Sequence, residues 1–194
     1  MSFLSDTELS SLGFASMGEN IKVSRKASIY GASRISLGSN VRIDDFCILS
    51  AGSGGLSIGS FVHIAAYASI IGRGRIEIND FAGISARVSV YSSSDDFTGC
   101  WMTGPTVPDE FTGVQHAPVT IGRHVIIGAG SVILPGASLE DGVAIGSLSL
   151  IKGFCREFGV YFGVPARRVA ERKRNLLVLE EKFLASIEGK GVPS

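Results

Sequence analysis

The chain has no excess of charge of either sign: eighteen basic side chains balance eighteen acidic ones over 194 residues. That balance leaves no electrostatic footprint for nucleic acid or an anionic membrane, so neither is expected as a partner. Cysteine is scarce and odd in number, with only Cys47, Cys100 and Cys155, widely spaced. Three separated thiols argue against a disulfide framework or a zinc knuckle and fit free cysteines in a reducing cytoplasm. No run approaches about 18 consecutive apolar residues, so no membrane span is expected. The opening residues lack a basic start followed by an apolar run, so no signal peptide is read there. Histidine is rare too: His63, His116 and His124 are the only groups whose ordinary pKa suits proton transfer near neutrality.

What the chain has is a period. From Ile121 an aliphatic residue returns every sixth position, at Ile127, Ile133, Leu139, Ile145 and Ile151. Six is neither the 3.6 of a helix nor the alternation of an ordinary strand. It is the repeat of a parallel β-helix, in which each hexad supplies one short strand and one corner, and three hexads close a triangular coil. The aliphatics point to the axis, and Val125, Ser131, Ala137, Val143 and Ser149 fit the narrow inside of the corners. The period runs upstream through Val23, Ile29, Leu37, Ile43, Leu49, Ile58, Ile64, Ile70, Ile78, Ile84 and Val90. Its breaks, from Ile29 to Leu37, Leu49 to Ile58 and Ile70 to Ile78, each follow the third hexad of a coil. The 31-residue step from Val90 to Ile121 falls at the same place. One corner of the prism therefore carries every insertion, and residues 92–118 form a long loop projecting from it.

The expected fold is all-β: a parallel β-helix of hexapeptide repeats over residues 21–165, with the protruding loop. Residues 1–20 form an N-terminal helical segment, because Ser5-Asp6-Thr7-Glu8 offers a cap and Gly13 a stop. Residues 166–194 form the C-terminal helical part. Leu176, Leu177, Phe183, Leu184 and Ile187 at helical spacing place the helix itself over 166–187. Flat prism faces offer no deep cleft, so a closed ring of identical copies is expected to make clefts between them.

The hexads, the loop and the ending Phe162-Gly163-Val164-Pro165-Ala166-Arg167-Arg168 together resemble the hexapeptide-repeat acyltransferases, most of all the galactoside and maltose acetyltransferase branch. The resemblance implies a left-handed coil and a homotrimer with active sites between subunits. It also implies transfer of acetyl from acetyl-CoA, with no metal, to a sugar or a nucleotide-linked sugar of bacterial surface polysaccharides. In that family a catalytic histidine stands five positions after the last inward aliphatic before the loop. Here that aliphatic is Val90 and the position is Asp95; the histidine is absent.

Two routes remain open. Attack by a hydroxyl needs a base of near-neutral pKa. His63, read as an outward corner residue, is the leading candidate, paired across the trimer with Asp95. An amine acceptor needs mainly positioning and a carboxylate, which Asp95 or Asp96 supplies. His116 at the end of the loop, Tyr91 and the lone Trp101 are further acceptor-binding candidates, and His124 is read as mid-strand on the outer surface. For acetyl-CoA the resemblance implies Gly128, Ala129, Ser147 and Leu148 along the pantetheine arm. It places Lys152, Arg167 and Arg168 at the phosphates, and Pro165 and Ala166 beside the adenine. Two rivals stand beside this reading. A zinc hydratase on the same coil needs three converging histidines, and His63 and His124 occupy different hexad positions. A non-catalytic trimeric scaffold or binding protein is argued by the missing histidine and opposed by the retained loop and ending.

Overall fold

The computed structural model describes residues 2–188; residue 1 and residues 189–194, within the segments 1–20 and 166–194 expected to be helical, lie outside the described residues. The chain winds as a left-handed prism with three parallel sheets for faces. The first face stacks seven strands, among them Ile35–Leu37, Leu56–Ile58, Ile76–Ile78 and Val119–Ile121. The second includes Arg42–Ile43, His63–Ile64, Gly83–Ile84, Ile126–Ile127 and Ala144–Ile145. The third includes Ser28–Tyr30, Ile48–Ala51, Ser69–Gly72, Ser89–Tyr91, Val132–Ile133 and Leu150–Ile151. The chain visits the faces in that order on every coil, so each inner strand pairs with the coil before and the coil after it.

The six-residue aliphatics form the core. From Leu37 to Ile151 every one of them is buried, and Val23 is as well; only Ile29, near the N-terminal end, is half-buried. Ser131 and Ser149 are buried among them without stranding a polar atom: both hydroxyls donate to the Gly146 carbonyl, at 3.0 and 2.8 Å. A second set of core residues escapes the period of six. Ile35, Leu56, Ile76 and Val119 each sit two positions before a predicted inward residue and are equally buried. Four first-face strands follow the insertion corner and are three residues long, so both ends of Ile-Ser-Leu, Leu-Ser-Ile, Ile-Glu-Ile and Val-Thr-Ile point inward.

The ends are closed by different devices. Helix α1 (Asp6–Ser11) is capped by Ser5, with Glu8 returning a bond to the Ser5 backbone, and it turns buried Leu9 into the open N-terminal end. At the other end the structure corrects the expectation of a helix from residue 166. Gly159–Gly163 and Ala166–Glu171 form an antiparallel hairpin that extends the second face, and helix α2 runs only over Asn175–Glu188. The open sheet edge favours a strand there: backbone groups of residues 159–163 would be left unpaired by a helix.

Helix α2 packs on its own prism, over the corner between the first and second faces. The Phe61 and Phe81 rings stack there at 4.8 Å, His124 stacks on Phe81 at 5.0 Å, and Phe183 of α2 meets Phe61 edge-on at 5.2 Å. Glu180 of α2 accepts from His124 Nε2 at 2.5 Å and pairs with Arg123. His124 is thus a corner residue with φ of 58°, not a mid-strand one. His63 is the converse: it lies within a second-face strand, not at a corner.

Candidate active site

The long loop leaves from the corner between the third and first faces, and its neck is stapled. Ser93–Ser94 pairs antiparallel with Gln115–His116, and Ser92, fully buried, donates its hydroxyl to the Gly74 carbonyl at 2.7 Å. Gly72, at φ of +153°, leaves the space that the Ser92 hydroxyl fills; a side chain there would collide with it. The coil register is undisturbed: Ile76 and Ile78 pair with Val119 and Ile121 as if the loop were absent.

Between the loop and the third-face corner lies a cavity of about 900 Å³. Asp95 is exposed at its lining, two residues beyond the neck serine. His116 lines the same cavity, held by a 2.8 Å bond between its Nδ1 and the Ser93 hydroxyl. The structure therefore brings Asp95 and His116 together within one chain. It does not bring His63 to Asp95 in that chain. His63 donates Nε2–H to Asp44 Oδ2 at 2.8 Å on the second face, and Arg42 Nε donates to the other Asp44 oxygen at 2.8 Å. Burial pushes the Asp44 carboxyl up, but the bonds from Arg42 and His63 outweigh it and hold the group below its ordinary value.

The two loop aspartates have different environments. Asp96, an expected acceptor contact, is occupied by its own loop: its carboxylate accepts from the Thr98 hydroxyl and from the amides of Thr98, Gly99, Cys100 and Trp101. The Thr98 hydroxyl first, and the amides with it, hold the carboxyl below the usual range. Asp96 shapes the loop, and Asp95 is left to face the cavity. Trp101 lays its ring on Gly113, where a Cβ would meet the indole, and remains half exposed. Tyr91 ends a third-face strand beside Ile71 and does not line the cavity.

A second, shallower groove of about 260 Å³ lies on the second face and includes His63, Ser85 and Ile126. Gly128 and Ala129 turn the next coil at that corner, and Ser147 and Leu148 the one after; the Leu148 amide donates to the Ala129 carbonyl at 2.9 Å. Farther along the axis, Lys152, Pro165, Ala166 and Arg167 line one cavity of about 270 Å³. Arg168 turns away and pairs with Glu171. The three histidines bond to Asp44, Ser93 and Glu180 in three separate places, so they do not converge as a zinc hydratase needs. Among the described residues no cluster of three or more His, Cys, Asp or Glu forms a metal-holding group.

Comparison with known proteins agrees with this geometry. A model of the bacterial transferase hexapeptide (six repeats) matches residues 118–153. A dTDP-4-amino-4,6-dideoxy-D-glucose acyltransferase of Escherichia coli is 50% identical over 97% of this chain and 98% of its own length. The chain belongs to the hexapeptide-repeat acyltransferases. It is, with them, an enzyme and not a bare scaffold. A putative lipopolysaccharide biosynthesis O-acetyl transferase, WbbJ of Escherichia coli K12, is 27% identical over 80% of this chain and 70% of that protein. Among solved structures, AntD, an N-acyltransferase from Bacillus cereus in complex with dTDP and 3-hydroxybutyryl-CoA, superimposes with a TM-score of 0.92. It is 46% identical and covers 96% of this chain and 98% of that one. A maltose O-acetyltransferase from Clostridium difficile, 21% identical with a TM-score of 0.59 over 87% of this chain and 75% of that one, shares the fold.

Proposed function

We propose that this enzyme transfers an acyl group from acyl-CoA to the exocyclic amine of a dTDP-linked 4-amino-4,6-dideoxy sugar. The observation that carries the reading is the carboxylate of Asp95 facing the loop cavity where the galactoside branch has a histidine. An amine in its neutral form is already nucleophilic, so the enzyme needs position and a proton acceptor more than a strong base. Two relatives of near-equal length act on or bind such compounds: the Escherichia coli acyltransferase is named for this amino sugar, and AntD is an N-acyltransferase solved with dTDP and coenzyme A. AntD has also been solved with variants at one aspartate and at one serine. In this chain Asp95 and Asp109 are the aspartates lining the loop cavity, Asp95 beside its neck, and Ser85 is the serine in the groove beside His63.

The step balances without a metal. The amine nitrogen attacks the thioester carbonyl carbon and a C–N bond forms. The tetrahedral oxyanion collapses and breaks the C–S bond. The nitrogen proton goes to Asp95 and the coenzyme A thiolate leaves, taking a proton in turn. Pantetheine lies along the small-residue turns at Gly128–Ala129 and Ser147–Leu148. Its far end reaches the cavity of Lys152 and Arg167, whose cations suit phosphate, with Pro165 and Ala166 beside the adenine. Loop cavity and coenzyme groove lie at different corners of one prism, so each site is completed between neighbouring copies of a homotrimer, where the loop of one meets the groove of the next. This arrangement also allows His63 of the groove and Asp95 of the loop to share one site. We place the reaction in the cytoplasm, on a sugar destined for surface polysaccharide. Among the described residues no helix is long and apolar enough to cross a membrane.

The test is coenzyme A release from acetyl-CoA with dTDP-4-amino-4,6-dideoxyglucose against the same nucleotide sugar bearing a hydroxyl in place of the amine. Turnover with the amine alone is expected. Turnover with the hydroxyl compound alone would overturn the reading.

A further inference from the structure

The loop cavity is far larger than a single hexose requires, and its chemistry changes along its length. At about 900 Å³ it lies near the upper end of the range for small-molecule sites, roughly 300–1,000 Å³. Its floor is the corner of three successive coils, paved with small residues. Pairing fixes the vertical order: Tyr30 stands beside Ser50, Ser50 beside Ile71, and Arg73 one coil before Ser93, whose hydroxyl accepts from the Arg73 amide at 2.8 Å. With coils about 4.8 Å apart, Tyr30 lies roughly 10 Å up the axis from Arg73, and Arg73 about one coil from the neck that carries Asp95. Asp95, Arg73 and Tyr30 thus stand in file.

The groups in that file are free to act. Three arginines stand near this corner, and two are engaged. Arg34 donates Nε and Nη2 to the Ala51 carbonyl, and Nε also to that of Gly52, at 2.7–3.0 Å. Arg75 pairs with Glu77 at 3.3 Å. Arg73 is exposed, lines the cavity, and has no acidic partner among the described residues. Tyr30 lines the far end of the cavity with a ring that is 60% exposed, a flat apolar face open to a planar ligand. Asp109 also lines the cavity, on the loop side; a carboxylate accepts from a hydroxyl or a ring N–H and repels phosphate.

We propose that this cavity holds the nucleoside diphosphate arm of the acceptor, with the Arg73 guanidinium on the diphosphate and the Tyr30 ring against the base. The order matches the covalent order of the ligand: amine and hexose at Asp95, then diphosphate, then nucleoside. Arg73 offers a planar fork of donors that grips phosphate oxygens in pairs. The polarity also keeps the diphosphate away from Asp95, leaving that carboxylate to the amine. The assignment rests on the acceptor class given under Proposed function, and it can fail separately from it.

The experiment measures binding and turnover on the same proteins. Calorimetry of dTDP alone is expected to show binding by the wild type and at least about tenfold weaker binding by Arg73→Met, with Arg73→Lys between them. Tyr30→Ala is expected to weaken binding by about fivefold or more, and Tyr30→Phe to retain it. In steady state, Arg73→Met raises KM for the amino-sugar nucleotide by about tenfold and leaves KM for acyl-CoA unchanged. Wild-type protein that binds no dTDP overturns the proposal. So does unaltered dTDP binding in both Arg73→Met and Tyr30→Ala, or a rise in KM for acyl-CoA in place of the acceptor. Arg73-dependent dTDP binding by an enzyme that accepts no amino-sugar nucleotide would sustain this assignment and sink the acceptor reading alone. Circular dichroism of the variants checks folding, which exposed Arg73 and Tyr30 do not support through any core contact.

Discussion

Asp95 and Asp96 are neighbours of identical chemistry, and the fold gives them different work. Five donor groups close on the Asp96 carboxylate, while Asp95 faces an open cavity. Asp95→Asn keeps the size and removes the proton acceptor, so kcat is expected to fall at least ~100-fold. His63→Ala is expected to cost less than about tenfold, since an amine acceptor does not need an imidazole base. Coenzyme A release measured on the two variants side by side checks both; the reverse ranking would return the base to His63. For Asp96 the expected effect lies on the loop. Its folded-state carboxyl sits below the ordinary value, so its contribution is present above the usual carboxylate range and is lost as pH falls through the lowered value. Protease cleavage between residues 97 and 113 should therefore be unchanged from pH 7 to about pH 4 and rise below it, and Asp96→Ala should show the fast cleavage at pH 7. The sequence named both aspartates without separating them. The separating signal was present in Asp-Phe-Thr-Gly, where a side-chain oxygen faces the amides two and three residues on. His116 was legible only as a loop histidine, because its bond to Ser93 spans 23 positions and no local pattern records it.

At the scale of elements, the period of six located the coils, the insertion corner and the loop, because every coil repeats the same packing problem. It was silent where that problem changes. The two-residue alternation that buries Ile35, Leu56, Ile76 and Val119 belongs to one face only and is diluted in the longer period. The C-terminal boundary is not legible in the sequence because residues 166–174 carry charges at spacings that suit a helix as well as an edge strand, and the deciding factor, an unpaired sheet edge, lies outside the segment. Helix α2 is held on the prism by few contacts, chiefly Glu180 on Arg123 and His124 and the Phe183 edge on Phe61. Arg172 anchors the approach, donating Nη1 to the His124 and Gly142 carbonyls at 2.7 and 2.9 Å. Glu180→Ala leaves His124, largely covered, without its carboxylate, while Arg123 keeps Asp80 at 2.9 Å; the expected loss is about 1–3 kcal/mol for a charged hydrogen-bonded group. We expect α2 to detach before the prism melts, so that amide exchange in residues 175–188 accelerates while that of the buried strands stays at wild-type level.

At the scale of the molecule, one prism has the parts of a site but not their meeting. The loop cavity opens at the corner between the third and first faces, and the turns of Gly128–Ala129 and Ser147–Leu148 stand at the corner between the second and third. Apolar side chains remain uncovered on that side: Leu148 is 73% exposed and Ile126 45%, beside the second-face groove. In the homotrimer proposed above, a ring of three copies would cover them and set the loop of each copy over the groove of its neighbour, which predicts complementation. Asp95→Asn spoils the loop half of the site and leaves the groove intact. Ala129→Trp fills the groove from an exposed turn position and leaves the loop and core intact. Each variant alone is expected to be nearly inactive. Unfolded together, mixed in equal amounts and refolded, they form rings in which a site is whole only where an Ala129→Trp copy lends its loop to an Asp95→Asn groove. Random assembly makes about a quarter of the sites whole, so about a quarter of wild-type activity should return. A site built within one chain has no such route: its mixture would show only the sum of two inactive proteins, and that result would remove the trimer from the mechanism.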